Sequence, residues 1–592
     1  MSALLAHRTP PLLLLATAAL LGACSNGSDS PTSPSGPSLS IVSCAATGTV
    51  QLASAQSARV DCSNGGTGVT VAGGGASYLI VPQLPVSLVP LTFVSYQLRA
   101  GAGVAASLAP SASITATTGG ALAADGISSR LSVNQLAFDA AMRAHARASI
   151  QHGRFTRSSA ESMRPARTVT VAPPPAVGSV RSFRVLADTS GTRFTTVGAR
   201  LAFAGASLLL YVDTLAPANG FGASQLQAFG QLFDQTLYPI DTAAFGPPSD
   251  VDQNGRVIML MTPRVNALTS TAECQASGFI GGFFEEEDLG GPATDPNSNH
   301  AEIFYSIVPD PTGTSSCAHT AADVGFSVPA TFLHELQHLI SFSQHYVVHQ
   351  SDPEEGWLDE GLSIVAEEQG SVYYEQKCPG TACRTNPTQL FPDSSQGFIS
   401  GFLLDSYFYA LRPDTASVTL HSDSDDGFSW RGGDWLLMRW IGDQFGSAAY
   451  RRLDENSLTG VANIESSTGQ AFPALFANFG VSLYTDSLPG FARTTAPPAN
   501  RFVTRNVRQL WARLFATSGG NPEIPLAFPL PVRTLTSDST TFRMFPGSNV
   551  YYRLNTATTA TTVSIQFSAP GGAALPSVYK PQLAIFRLPP GA

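Results

Sequence analysis

A chain of 592 residues is long enough for several domains, and a hydrophobic fraction of 43% is ample for sizeable cores. Its formal charge of -10, from 33 basic and 43 acidic residues, with lysine only at positions 377 and 580, argues against nucleic acid as a partner. Abundant Gly, Pro, Thr and Ser point to extensive β structure and loops, and no apolar run after the N-terminus is long and uninterrupted enough for a spanning helix.

Residues 1–23 read as an export signal: His7 and Arg8 make a polar start, and residues 11–21 are apolar but short for a membrane span. Leu21-Gly22-Ala23-Cys24 resembles a bacterial lipobox, which implies lipidation of Cys24 and a membrane anchor. Ordinary signal cleavage at a small residue is the alternative. Ser25, rather than Asp, follows, and the same resemblance then implies the outer membrane or cell surface, with release from it also open. Residues 24–40 are too polar and Pro-rich to bury a core and read as a tether. Setting Cys24 aside leaves six cysteines, an even number that suits disulfides in an oxidising compartment. Proximity pairs Cys44 with Cys62, Cys274 with Cys317, and Cys378 with Cys383, and the absence of CxxC spacing speaks against a structural zinc site.

Residues 41–126 alternate short Val, Leu and Thr runs with Gly-rich turns and predict an all-β module. Residues 127–178 change character: an Arg-rich helical pattern leads into a Pro-rich stretch, which reads as a solvated helix with a flexible end or as a cleavable linker. From 179 a second β series begins, followed by helical spacing of Leu226, Phe229 and Phe233. Asp250, Asp252 and Asn254 alternate before Gly255, as in the first half of a calcium loop, although Met261 stands where the closing glutamate belongs. A plain Asx-stabilised turn accounts for the same residues. The run Glu285-Glu286-Glu287-Asp288 predicts a solvated loop or a cleft rim favouring basic substrates. Residues 300–308 predict a strand, either pairing with substrate at a sheet edge or packed inside.

The chain is organised around residues 332–368. His334-Glu335-Leu336-Gln337-His338 on a helix places two imidazoles on one face, where both can reach one zinc ion, with Glu335 projecting beside them. Ser327 and Pro329 predict the start of that helix. A second helix beginning near Leu358 carries Glu360, the natural third ligand, leaving a fourth position for water. Asp359 is expected to point elsewhere, and Glu367 and Glu368 are alternative ligands if the helix is shifted. Trp435 to Phe445, stopped by Gly446, predicts a core helix, and a boundary near Pro489 leads into a C-terminal all-β module at 491–592.

Trp357-Leu358-Asp359-Glu360-Gly361 resembles the WLNEG element of gluzincin metallopeptidases, in which the Glu is the third zinc ligand; Asp359 stands in place of the usual Asn. With LFDQTLYPIDTAAFGPPSDVDQNGRVIMLMTP, SNHAEIFY and FLHELQHLISF, the order of segments is similar to the hyicolysin-type bacterial zinc metallopeptidases over roughly a quarter of the chain. The resemblance implies a thermolysin-like zincin catalytic core at 179–490; it does not cover the N- and C-terminal all-β modules, which are read from their own residues, and together these predict an α+β fold. The resemblance also implies a zinc endopeptidase that hydrolyses extracellular proteins or peptides through a zinc-bound water, with His334, His338 and Glu360 as ligands and Glu335 as general base. An oxyanion donor is also implied, for which Tyr373, Tyr374, Tyr407, Tyr409 and His421 are open candidates. The contrasting class is a surface adhesin built on an inactive peptidase core, against which the intact HELQH and Glu360 speak.

Overall fold

The computed structural model describes residues 40–44, 48–104, 133–152, 173–291, 295–386, 389–421, 427–493, 496–538 and 540–592. The signal, Cys24 and the tether lie outside these residues. The protein is a mixture of helices and three sheets, in keeping with the α+β expectation.

The two β-rich ends, expected as separate modules, pair with each other. One six-stranded sheet runs Ser40–Ser43, Ser57–Asp61, Gln582–Arg587, Ser77–Gln83, Tyr551–Asn555, Val532–Thr534; a five-stranded sheet runs Thr541–Met544, Val94–Ala100, Thr562–Ser568, Gly68–Ala72, Thr49–Val50. Alternation explains how they stack: Val60, Tyr78, Ile80, Leu554 and Ile585 from the first sheet share a core with Val69, Val71, Leu98, Val563 and Ile565 from the second. The opposite face of the first sheet, through Leu79, Val81, Tyr551 and Phe586, joins the core of the helical body. Gln83 and Gln582 seal that junction, donating to the Phe476 and Pro473 carbonyls at 2.8 Å each. The stretch after 490 is not all β, because Val507–Thr517 is a helix whose Trp511 donates to Ser406 Oγ.

A second six-stranded sheet has the order Gly282–Phe284, Ile303–Ser306, Val257–Met261, Leu208–Asp213, Phe194–Ala204, Val180–Leu186. Its three central strands are parallel, and their sequences are near-continuous apolar runs because helices or loops cover both faces. The strand predicted at 300–308 is therefore internal, and the edge is Gly282–Phe284.

Behind this sheet lie Ala321–Phe342, which carries the histidines, and Gly356–Lys377, which carries Glu360. The histidine helix starts two turns before the predicted cap: Thr320 and Asp323 form a reciprocal capping box, which satisfies two free N–H groups. Ser327 instead donates to the Asp323 carbonyl inside the helix, and Pro329 sits in the helix interior, where it has no N–H to give the carbonyl of Gly325. Phe428–Phe445 packs across the Glu360 helix, ending at Gly446 as its sequence predicts. Gly361 permits the close approach, since a Cβ there would lie 2.8 Å from Met438 Cγ and 3.2 Å from the Asp434 carbonyl oxygen. The three proximity disulfides form: Cys44–Cys62, Cys274–Cys317 and Cys378–Cys383.

Candidate metal centre

One helical turn separates His334 from His338, so their rings share a face and their Nε2 atoms lie 3.1 Å apart. Glu360, fully buried, presents Oε2 3.6 Å from His334 Nε2 and Oε1 3.6 Å from His338 Nε2. Two nitrogens bound tetrahedrally to zinc at ~2.0–2.1 Å would stand about 3.3 Å apart, close to what the imidazoles already show. The donor set, two imidazoles and one carboxylate, is that of an open zinc site. Sequence-predicted His334, His338 and Glu360 are thus brought together, within reach of a single ion.

The far side of each ring is held by a carboxylate. His334 Nδ1 hydrogen-bonds Glu367 Oε1 at 2.8 Å, and His338 Nδ1 hydrogen-bonds Asp359 Oδ2 at 2.8 Å. Such bonds fix the ring orientation and turn each Nε2 toward Glu360. Asp359 therefore does not point away, as its place on the helix predicts, and Glu367 is a ring partner rather than a ligand. Glu368, the other alternative ligand, faces Arg439, Arg505 and Trp435 instead. Gln337, within the motif, turns inward; its Oε1 accepts from Ser363 Oγ at 2.5 Å and its amide donates to Asp454, locking the two helices together.

Charge within the cleft is dense. Burial would raise the Glu360 pKa, but Arg143 and Arg431, each bonded to the carboxylate, hold it well below the usual range. Burial pushes His334 well below its ordinary value, whereas the Asp359 and Glu360 carboxylates outweigh burial at His338 and hold it well above. Glu335 is buried, accepts from the Phe284 N–H at 3.3 Å, and is pushed well up by burial and by neighbouring Asp139. Arg431, 71 residues beyond Glu360, also lies 3.9 Å from Glu367 and from Asp405.

Asp139 and Arg143 belong to a helix, Val133–Gln151, within the stretch expected to be solvated. It is packed instead: Phe138 meets Phe283 edge to face at 5.2 Å, and Met142 is buried. Each such side chain contributes about 1.5–3 kcal/mol by leaving water. The acidic run is likewise not a solvated loop. Glu285, Glu287 and Asp288 are buried, Asp288 with Tyr305 and the Asn299 N–H, and Glu287 with Ser149 and His145.

Among the five oxyanion candidates, Tyr407 is bonded to the Leu526 backbone, Tyr409 to Asn549, Tyr374 stacks on Phe398, and Tyr373 lies under the Lys377 ammonium. His421 differs. Burial takes its pKa down to about 3 while Glu360 pulls it up and Arg143 and Arg431 push it down, so it shares the field of the centre. Its Nε2 lies 2.8 Å from Asp434 Oδ2.

Asp250 and Asp252 come together with Glu302, which immediately precedes the strand Ile303–Ser306. Asn254 serves the turn: its amide donates to Asp252 Oδ2 and its Oδ1 accepts from the Arg256 N–H. Glu302 Oε1 accepts from Ser249 Oγ and the Val251 N–H, while its buried Oε2 has no hydrogen-bond partner among the described residues.

Among the described residues no helix is long and apolar enough to cross a membrane. No family model matches the chain. Over 144 residues it is 31% identical to the "Neutral metalloprotease ShpI" of Staphylococcus hyicus, a match that covers 24% of this chain and only 30% of that protein's length.

Proposed function

We propose that the chain is a zinc-dependent endopeptidase with a thermolysin-like zincin core, acting on extracellular proteins or peptides. The observation that carries this reading is the convergence of His334 Nε2, His338 Nε2 and Glu360 on one point, with both rings held from behind by Glu367 and Asp359. Similarity to a protein named a neutral metalloprotease supports it.

Zinc, when bound, supplies Lewis acidity that polarises a carbonyl and makes hydroxide available near neutral pH. The residues do the rest. Glu335, one position from His334 and off the ligand set, accepts a proton from water and delivers it to the leaving amine. His421, steadied by Asp434 and coupled to the charge on Glu360, is the candidate to meet the developing oxyanion. The edge strand Gly282–Phe284 offers backbone groups to an extended peptide.

Export and attachment through Cys24 to the outer membrane or cell surface belong to this reading on sequence grounds. The reading also includes a calcium ion, expected from the sequence at Asp250, Asp252 and Asn254 and supported by the geometry at Asp250, Asp252 and Glu302: three carboxylates meet there, and the free Oε2 of Glu302 fits a hard cation.

The test is hydrolysis of casein by the purified protein, abolished by a chelator and restored by zinc. Glu335→Ala should retain zinc while turnover falls by about 10²–10⁴. Undiminished turnover in that variant would remove Glu335 from the reaction.

A further inference from the structure

We propose that the metal cleft is the docking surface of the chain's own helix, Val133–Gln151, which keeps the site closed until it is displaced. This rests on the zinc-peptidase reading and adds that the docked helix limits access, so the purified chain hydrolyses peptides only in the fraction of molecules whose helix has undocked.

The helix engages the cleft in the order in which a substrate would need it. Asn134 donates to the Glu273 and Gly278 carbonyls, anchoring the first turn. Gln135 donates to the Gly282 carbonyl at 2.9 Å and its Oε1 accepts from the Gly281 N–H at 2.8 Å. Those are backbone groups at the start of the edge strand, the groups an extended peptide pairs with. One turn later Asp139 brings a carboxylate oxygen within 4.8 Å of ligand atoms of His334 and Glu335. A further turn places the Arg143 guanidinium on Glu360 Oε1. Residues 135, 139 and 143 form a single stripe at i, i+4 and i+8, so one rigid helix reaches the edge strand, the general base and the third ligand together. Phe138 and Met142 bury beside that stripe, and Ser149 and His145 secure the last turns to Glu287.

Occupation of this kind excludes function on two counts. A peptide cannot pair with Gly281 and Gly282 while Gln135 does. A cation approaching Glu360 must share its carboxylate with a guanidinium that has five donors and no way to lose its charge. Because the helix is part of the same chain, it rebinds at high effective concentration, and modest contacts suffice to hold it.

The test uses the full chain, loaded with zinc and checked for metal content, and acetohydroxamate as a small zinc-seeking probe. Phe138→Ala/Met142→Ala loosens the apolar seat; Gln135→Ala/Arg143→Ala removes the polar plug and stands in should the first pair fail to fold. Both double variants should bind acetohydroxamate at least tenfold more tightly than wild type, with faster amide exchange over 133–151 and a parallel rise in peptide hydrolysis. Equal probe binding by wild type and variants, or binding by none of them, overturns the proposal, as does peptide hydrolysis at the same rate in all three. Tighter probe binding with no hydrolysis in any protein keeps the docking helix and discards the peptidase reading.

Discussion

Two buried glutamates on one helix show what separates a site from a strut. Glu360 and Glu368 stand two turns apart on Gly356–Lys377, each without exposed surface and each bonded to two arginines. Arg431 meets the first and Arg439 the second, a matching advance of eight residues along Phe428–Phe445. Every bond around Glu368 is structural: Arg505 Nε at 2.8 Å, Arg439 and Trp435 Nε1 at 3.2 Å each, with Arg505 tying the post-490 segment to the core. Around Glu360 the arginines are joined by two imidazoles whose Nε2 atoms lie 3.1 Å apart. The imidazoles are themselves braced by Glu367 and Asp359, so carboxylate, rings and braces aim at a point between them. A buried ion pair alone therefore marks no site; convergence of oriented lone pairs does.

Exchanging the two glutamates for glutamine breaks this comparison most directly. Glu368→Gln should lower folding stability by about 1.5–3 kcal/mol, since Arg439 and Arg505 each lose one buried carboxylate while keeping Asp443 and Glu375, yet leave zinc stoichiometry at wild-type level. Glu360→Gln should abolish stoichiometric zinc binding. Denaturant unfolding beside metal analysis reads both; loss of zinc in Glu368→Gln with retention in Glu360→Gln would reverse the assignment. A smaller effect sharpens it: Asp359→Ala and Glu367→Ala should each weaken zinc by about 10–100-fold while barely moving stability, because they steer the ligands and do not supply them. Competition against a chelating dye measures this.

The part of the centre that was legible in the sequence is the part encoded at helical spacing. His334 and His338 one turn apart, and Glu360 in a neighbouring amphipathic segment, follow from periodicity. Asp359 was misjudged because its direction depends on how Ala321–Phe342 crosses the second helix, which no local pattern states. Arg143 and Arg431 come from more than 70 residues away on either side of Glu360 and leave no signal near it. The same limit hid the sandwich: its strands at 40–100 and 532–587 each alternate as strands should, but pairing such as Ile80 with Tyr552 is set by burial of the whole sheet, not by neighbours in sequence. The helix 133–151 has the arginine content of a solvated helix, but its Phe138 and Met142 bury and its Arg143 is spent on Glu360, a partner 217 residues away.

Glu302 extends the comparison to a third buried carboxylate, one with no guanidinium bonded to it among the described residues. Burial pushes its pKa up to about 7 from 4.5, where Arg439 and Arg505 keep that of Glu368 below the ordinary value despite burial. The folded protein therefore keeps a proton on Glu302 that the unfolded chain has already released. The stabilising contribution is complete below about pH 4.5 and is lost as the pH rises toward 7, by at most about 3 kcal/mol. A calcium ion on Asp250, Asp252 and Glu302 would take the proton's place and do for Glu302 what arginines do for Glu368. Calcium should accordingly raise the melting temperature by a few degrees at pH 8 and by much less at pH 5. Glu302→Gln keeps the bonds to Ser249 and the Val251 N–H, and should remove both the calcium response and this share of the pH dependence. A calcium response of equal size at both pH values, or one that survives in Glu302→Gln, would place the ion elsewhere and leave Glu302 as a protonated core residue.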